Sequence, residues 1–311
     1  MPHAVAAARD VPFSGVYPML FAFFDETGAL DEKALRNQVS AVLAAGAHGI
    51  AALGLASEAN KMSTAERLRF MECVQEANGS KAPLSITVSE TSTRGQIQFA
   101  RQAMALGAAW LVLQPPPVKG MTEASLAAFF SEVADAVDAP IGLQLAPDFL
   151  SGTLSAATLS KLAARSPNIS ILKVEMPAPE VARLIQDTGG RFAVFNGRAG
   201  LDMPDSVAAG CAGFVPGAEC TDRLVRIYEA LRSDEPGRTL QAERDYKELA
   251  PLLGFLMLGI DNFLTYGKTL MVRRLGLPPV SSVVRSPTAG ASEFALGVLG
   301  RWSRELGPLG R

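Results

Sequence analysis

Between residues 16 and 232 the chain alternates eight short apolar runs with eight longer, Ala-rich amphipathic segments. The apolar runs lack the polar alternation of half-exposed strands, which is typical of strands buried on both faces of a parallel sheet. Eight such strand–helix units in succession predict an α/β protein with a (β/α)8 TIM barrel. The predicted strands are Val16–Phe23, Gly49–Leu53, Leu84–Ser89, Trp110–Gln114, Pro140–Leu145, Ile169–Val174, Phe192–Asn196 and Gly213–Val215.

A doubly wound parallel sheet would also alternate strands with helices. Such a sheet usually has fewer strands, and its first turn carries a Gly-rich nucleotide-binding sequence. Neither a G-x-G-x-x-G nor a Walker A pattern occurs in the chain. The barrel is therefore the favoured architecture.

The predicted helices carry start and stop signals. Asp31 precedes the first helix as an N-cap candidate, and Ser63 with Glu66 fits a capping box. Glycines suited to the left-handed position after a helix follow three of the segments: Gly46, Gly107 and Gly210.

The last quarter of the chain has a helical pattern without further strands. Pro236-Gly237 separates it from the barrel pattern, and Pro278-Pro279 interrupts it. We expect three regions: an N-terminal extension at residues 1–11, the barrel at 12–235 and a C-terminal helical extension at 236–311.

The charge balance argues against several classes of partner. Lys and Arg total 29 against 31 Asp and Glu, which gives a formal net charge of −2 without any basic run. A nearly neutral chain is a poor binder of nucleic acid or of an anionic membrane surface. The longest apolar stretch, Leu249–Ile260, contains Pro251 and is too short to span a bilayer.

Histidine and cysteine are scarce. Two histidines, His3 and His48, argue against a His-ligated metal and a Ser-His-Asp triad. Three cysteines without a Cys-x-x-Cys pair argue against a disulfide framework or a zinc site, and they fit a reducing cytoplasm. Residues Met1–Asp10 lack the apolar core of a signal peptide. We expect a cytoplasmic protein with no metal and no cofactor.

Chemistry in such barrels is found at the carboxyl ends of the strands, where Lys173 closes the apolar run of the sixth strand. A lysine amine attacks a carbonyl carbon only in its neutral form, which apolar surroundings favour. The alternative is a strand-end lysine that extends to solvent. Glu175 lies two residues on, so both side chains share one strand face. Its carboxylate could act as a base, orient the amine, or serve only as an ion-pair partner.

Five segments, in this order and spacing, carry a resemblance to a known family. They are FFDETGALDEKAL, GLASEANKMSTAERL, ILKVE, VFNGRAGLDMP and GCAGFVPG. The chain resembles the dihydrodipicolinate synthase / N-acetylneuraminate lyase family of class I Schiff-base lyases. The resemblance implies a barrel with C-terminal helices, a homotetramer, a 2-oxo acid substrate and an imine formed on Lys173.

The departures from the family pattern concern its hydroxyl relay. The tyrosine expected after the fifth strand is Gln144, and an arginine shortly after it is replaced by Phe149. The family's Thr-Thr pair in the second loop is Leu55-Ala56, and the tyrosines after the fourth strand are replaced by Pro116-Pro117. These changes place lysine biosynthesis in doubt. The segments LQLAP, SGTLS and LKVE resemble sugar-acid dehydratases of the family, such as 2-keto-3-deoxy-arabonate dehydratases.

Several further residues are candidates for binding the substrate. Ser57 offers a hydroxyl near a helix N-terminus, which suits a carboxylate, although capping of its own loop is an equal alternative. Arg198 could pair with a distal carboxylate or be an ordinary surface arginine. The resemblance adds Val215, whose backbone contacts the substrate carboxylate in the family. The remaining candidates are Asn196 at the end of the seventh strand and the loop residues Ala56 and Gly197.

We therefore predict a cofactor-free class I lyase that acts on a small 2-oxo acid through Lys173, with Gln144 and Glu175 as further catalytic candidates. The imine makes either a C3 proton or the C3–C4 bond easier to break, so a dehydratase and an aldolase share one intermediate. Gln144 cannot remove a proton from a C4 hydroxyl, which favours dehydration. The alternatives are a true 4-hydroxy-tetrahydrodipicolinate synthase and a non-catalytic 2-oxo acid binding protein.

Overall fold

The computed structural model describes residues 13–235 and 237–310, so the N-terminal extension expected at 1–11 lies outside the described residues. Eight parallel strands form one sheet in the order β1-β8-β7-β6-β5-β4-β3-β2. The strands are β1 (Gly15–Val16), β2 (Ile50–Ala52), β3 (Leu84–Val88), β4 (Trp110–Leu113), β5 (Ile141–Leu145), β6 (Ile169–Val174), β7 (Ala193–Asn196) and β8 (Gly213–Phe214).

The sheet closes into a ring next to its shortest strand, β1. Met19 pairs in parallel with Ala51 on one side and with Gly217 on the other. The Leu20 N–H donates to the Ala51 carbonyl oxygen at 2.9 Å. The prediction of a TIM barrel is therefore confirmed, although the first predicted strand, Val16–Phe23, was too long, because the ladder narrows to the single bridge at Met19 beyond Val16.

Helices alternate with the strands and cover the outside of the ring. They are α1 (Glu32–Ala44), α2 (Thr64–Asn78), α3 (Thr93–Ala105), α4 (Glu123–Asp135), α5 (Ala156–Arg165), α6 (Ala178–Asp187), α7 (Met203–Ala208) and α8 (Thr221–Leu231). The start and stop signals predicted for individual helices are confirmed. Asp31 accepts from the Ala34 N–H, and Ser63 with Glu66 forms a complete capping box. The glycines after α1, α3 and α7 all have positive φ.

The seventh helix does not begin directly after β7. A single 3-10 turn, Arg198–Gly200, precedes it, and Ala199 has a φ of 52°. A left-handed residue cannot continue a right-handed helix, so α7 starts only at Met203.

The C-terminal extension consists of helices, as predicted. They are α9 (Arg238–Leu256), α10 (Ile260–Asn262), α11 (Lys268–Leu275) and α12 (Glu293–Trp302), with a π-helical turn, Phe263–Gly267, between α10 and α11. The extension packs back on the barrel, α9 against α8 and α11 against α1. Within the described residues, no single helix is both long and apolar enough to cross a membrane. Taken together, the segments Arg238–Leu256 and Ile260–Leu275 are long and apolar enough, but the chain bends by 110° at the break between them.

Aromatic side chains fill part of the barrel interior. Tyr17, Trp110 and Phe195 come from strands that are not neighbours, yet their ring centroids lie 5.2–5.7 Å apart. Two glycines make room for these rings, because a Cβ built on Gly49 would overlap Tyr17 and one on Gly213 would overlap Phe195. This packed layer fills part of the barrel interior beside Lys173, which is paired with Phe195 in the sheet.

Candidate active site

Lys173 is the next-to-last residue of β6, between β5 and β7 in the sheet. Its position in the ladder is opposite Gln144 on β5 and Phe195 on β7. Residues directly opposite on adjacent strands share a face, so the Lys173 side chain points to the barrel interior with the Phe195 ring. The side chain is 7% exposed, and its amine reaches a cavity at the mouth.

Glu175 lies on the same face as Lys173, as its spacing predicts. Its Oε1 accepts a hydrogen bond from Lys173 Nζ, and its Oε2 accepts from the backbone N–H of Arg198 at 2.6 Å. The backbone N–H of Glu175 donates to the Leu145 carbonyl oxygen at 3.0 Å, which extends the β5–β6 pairing past the end of the strand. The carboxylate is therefore fixed beside the amine by three elements of the barrel.

The loop after β7 is shaped around this carboxylate. A Cβ built on Gly197 would overlap both oxygens of Glu175, so any larger residue there would have to displace the carboxylate. Arg198 and Ala199 follow with positive φ values of 51° and 52°. This conformation is unfavourable for side chains with a Cβ, and it aims the Arg198 N–H at the carboxylate. The Arg198 guanidinium pairs with Asp202, Nε to Oδ2 at 2.6 Å.

A cavity of about 50 Å³ lies at this end of the barrel. Five of the nine residues predicted from the sequence as catalytic or binding line it: Ala56, Lys173, Glu175, Arg198 and Val215. The structure therefore brings the predicted amine, carboxylate and guanidinium together around one space. Their roles toward a substrate remain predictions.

Sequence reasoning missed most of the apolar walls of the cavity. Leu55 and Phe149 were noted only as replacements of family residues, and no role was predicted for the others, Met19, Met257, Ile260 and Phe263. The last three come from the C-terminal extension. Met257 and Ile260 belong to the apolar stretch Leu249–Ile260, which by itself does not indicate where it packs, and Phe263 lies just beyond it.

Ser57 and Asn196 stand apart from the cavity lining. The Ser57 hydroxyl is fully buried, donates to the Leu20 carbonyl oxygen at 2.6 Å and accepts from the Leu53 N–H at 3.0 Å. This hydroxyl fixes its own loop, which is the second of the two roles that the sequence suggested for Ser57. The Asn196 amide donates to the Met176 carbonyl oxygen and to the Ser206 hydroxyl. It holds the β6 and β7 loops together.

Gln144 is held in an amide pair. Its Oε1 accepts from Gln114 Nε2 at 2.9 Å, and the Gln114 carbonyl oxygen accepts from Gln96 Nε2 at 2.8 Å. Gln144 is buried on β5 opposite Lys173. An amide in this place can orient a neighbour by hydrogen bonding, but it has no proton to exchange at neutral pH.

A buried ion pair connects the second loop to the C-terminal extension. Glu58 is fully buried and accepts from Lys268 Nζ and from the Arg285 backbone N–H, both at 2.8 Å. Burial lowers the pKa of Lys268, and the Glu58 charge acts in the opposite direction. The pair joins the loop that carries Leu55 to the helix that follows Phe263, so two cavity walls are fixed to each other.

A second buried carboxyl, Glu219, lies directly behind the cavity. Neither of its oxygens has a hydrogen-bond partner among the described residues, and burial raises its pKa to about 7. A Cβ built on Gly217, a cavity residue, would overlap the Glu219 carboxyl. The nearby Arg274 is already paired with Asp222 through two hydrogen bonds of 2.8 Å. The sequence analysis did not single out Glu219.

Across residues 13–235 and 237–310, the fold brings no three His, Cys, Asp or Glu side chains together in a way that could hold a metal ion. The three cysteines are buried and free. The chemistry that the cavity offers is therefore that of an amine, a carboxylate and a paired guanidinium.

The chain matches known proteins over most of its length. The model of the dihydrodipicolinate synthetase family matches residues 12–296. The 4-hydroxy-tetrahydrodipicolinate synthase of Methanopyrus kandleri is 28% identical over 299 residues, 95% of this chain and 97% of that protein. The L-2-keto-3-deoxyarabonate dehydratase of Azospirillum brasilense is 30% identical over 247 residues, 77% and 78% of the two chains.

A solved structure shares the whole architecture. YagE of Escherichia coli K12, a prophage protein of the dihydrodipicolinic acid synthase family solved in complex with pyruvate, superposes with a TM-score of 0.86. The match covers 95% of this chain and 99% of that one at 23% identity. At that identity the likeness establishes the fold alone.

Proposed function

This chain belongs to the dihydrodipicolinate synthetase family, and from that premise we propose that it is a Schiff-base-forming lyase acting on a 2-oxo acid. The observation that carries the proposal is the contact between Lys173 Nζ and the Glu175 carboxylate at the wall of the mouth cavity. Known relatives include a synthase and a dehydratase, which differ in product.

The first step is attack of the Lys173 amine on C2 of the 2-oxo acid. The amine must lose a proton before it attacks, and Glu175 Oε1 is the acceptor in contact with it. Attack gives a carbinolamine, Glu175 returns its proton to the hydroxyl on C2 so that water leaves, and a protonated imine remains that withdraws electrons from C3. The substrate carboxylate is bound by backbone groups around Ala56 and Val215 at the mouth, and Gly197 serves indirectly by leaving room for Glu175.

We favour dehydration as the second step. Glu175 takes a proton from C3, the resulting enamine expels the C4 oxygen, and the same proton returns to that oxygen so that water leaves. Aldol cleavage needs a separate base for the C4 hydroxyl. In the family pattern a tyrosine occupies that place, whereas this chain has Gln144 bonded to Gln114.

The assembly and the compartment are further parts of the proposal. We propose a homotetramer, as in the family that the chain resembles, and light scattering at micromolar concentration tests it. A monomeric mass would contradict the tetramer. We also propose a cytoplasmic location, because three buried thiols without a disulfide suit a reducing compartment.

Borohydride trapping tests the central proposal. The protein is incubated with pyruvate and reduced, and peptide mass spectrometry should find the added ligand mass on Lys173. Lys173→Ala should abolish the adduct while circular dichroism and thermal unfolding show a folded protein. Lys161→Ala, which removes an exposed lysine on α5, is the matched control and should leave labelling unchanged. An adduct on another lysine, or none with any 2-oxo acid, would overturn the proposal.

A further inference from the structure

The walls of the cavity differ sharply in polarity. The polar side chains that line it within the described residues are Lys173, Glu175 and Arg198. The C-terminal extension and the two loops opposite contribute only apolar groups: Leu55, Phe149, Met257, Ile260 and Phe263. A ligand that projects beyond the reacting carbons therefore meets hydrocarbon and a thioether.

The polar groups at the cavity already have partners. Lys173 and Glu175 contact each other, and the second Glu175 oxygen is bonded to the Arg198 N–H. The Arg198 guanidinium is held by Asp202. A hydroxyl on C5 or C6 of a substrate would have to displace one of these contacts or lose part of its hydration against the apolar wall without gaining a side-chain partner, and such a loss is costly.

The apolar wall is also fixed in place. Phe263 is almost fully buried, and its ring centroid lies 5.9 Å from that of Phe21 inside the barrel. The helix that follows it is anchored by the buried pair of Lys268 with Glu58. Because Phe263 is held from both sides, a polar substrate cannot easily push this part of the wall away.

On the basis of the proposed lyase function, we propose that this site selects 4-hydroxy-2-oxo acids whose remaining substituent on C4 is a short alkyl group. Met257, Ile260 and Phe263 are the residues that set this specificity. The C4 hydroxyl is the reacting group and faces Glu175, whereas further hydroxyls of a sugar acid would face the apolar wall. The preference separates this chain from sugar-acid enzymes with which it shares sequence segments.

A matched pair of substrates tests the inference. 4-Hydroxy-2-oxopentanoate and 4,5-dihydroxy-2-oxopentanoate differ by one hydroxyl on C5, and substrate consumption is followed whether water is lost or C3–C4 is cleaved. We expect kcat/KM to favour the monohydroxy acid by roughly tenfold or more, the scale of discrimination by one group in an apolar pocket. The concentration that gives half-maximal borohydride trapping provides a second readout that does not need turnover.

Substitutions in the C-terminal extension test whether its cavity-lining side chains cause this preference. Met257→Gln, which keeps the length of the side chain and adds an amide, should reduce the preference about tenfold. Leu258→Gln is the control, because Leu258 is 75% exposed and does not line the cavity. An equal or reversed preference in the wild-type enzyme, with the imine still trapped on Lys173, would overturn this inference and leave the lyase proposal intact. Failure of trapping with pyruvate and with both test acids would overturn both.

Discussion

The Glu175 carboxylate lies directly against the Cα of Gly197, and both of its oxygens occupy space that any larger residue would fill. The contact joins the end of β6 to the loop after β7. It leaves one carboxylate oxygen for the Arg198 N–H and the other for the Lys173 amine. The geometry of the amine–carboxylate pair thus depends on a residue that does not itself line the cavity.

We predict that Gly197→Ala lowers kcat strongly with little loss of folding. The new methyl group must displace the Glu175 carboxylate, and a shift of about 1 Å in a catalytic group costs on the order of 10²-fold in rate. Gly254→Ala in α9 is the control, because a Cβ at Gly254 meets nothing within 4 Å. Steady-state kinetics and thermal unfolding of both variants check the prediction, and an unchanged kcat in Gly197→Ala would contradict it.

Removal of the carboxylate should cost more than removal of the amide opposite Lys173. Glu175→Gln is expected to lower kcat/KM by about 10²–10⁴-fold if this carboxylate is the base. Gln144→Ala should lower it by roughly ten- to a hundredfold and leave imine trapping intact, since only hydrogen bonds are lost. Gln114→Ala removes the same amide pair from its other end. A nearly silent Glu175 change with an inactive Gln144 variant would show that the base is misassigned.

The enzyme should be a poor 4-hydroxy-tetrahydrodipicolinate synthase. Gln144 and Phe149 stand where the synthase pattern has its tyrosine and arginine. The Gln144 amide cannot transfer a proton, and the Phe149 ring cannot form an ion pair with a carboxylate. With pyruvate and aspartate semialdehyde, kcat/KM should fall well below the usual enzyme range of about 10⁴–10⁸ M⁻¹s⁻¹. A value inside that range would mean that other residues replace the relay.

Glu219 should make the stability of the fold depend on pH. Burial raises its pKa to about 7 in the folded state, against about 4.3 in an unfolded chain. Between these values the folded state holds a proton that the unfolded state has lost. This contribution to stability is fully present below the unfolded pKa and is lost as the pH rises through 7. The loss amounts to about 2–3 kcal/mol between pH 5 and pH 8.

Chemical denaturation of the wild type and of Glu219→Gln at pH 5 and pH 8 measures this effect. The difference in unfolding free energy between the two proteins should move in favour of the variant by about 2–3 kcal/mol on going to pH 8. All other titrating groups cancel in that difference. A difference that stays constant between the two pH values would mean that Glu219 does not carry the buried proton.

Breaking the buried ion pair between Lys268 and Glu58 should destabilise the fold strongly. Lys268→Met leaves the Glu58 carboxylate without its main counter-charge and should destabilise the fold by about 3–5 kcal/mol. Adding Glu58→Gln removes the uncompensated charge, so the double variant should be less destabilised than the sum by roughly 1–3 kcal/mol. Arg36→Met, which breaks the more exposed pair with Glu76, should cost under about 1 kcal/mol. If the double variant were destabilised by the sum of the losses measured for Lys268→Met and Glu58→Gln alone, the coupling would be contradicted.

The sequence by itself determined the order of the barrel and the position of its amine. Buried strands and amphipathic helices have characteristic local patterns of apolar residues. Eight strand–helix units can therefore be predicted without knowledge of their tertiary contacts. The same period places Lys173 and Glu175 on one face, because residues two apart in a strand point the same way. The N-cap at Asp31 and the capping box at Ser63 are equally local.

Only the tertiary structure decided what surrounds that amine. Phe263 reaches the cavity from about 90 residues beyond Lys173, through packing of the C-terminal extension that no local period encodes. The hydroxyl of Ser57 is bound by the Leu20 carbonyl, and Gly197 is needed because a carboxylate from another strand fills the space beside it. Side-chain partners and cavity walls follow from which distant segments meet, and that is set by the packing of the whole fold.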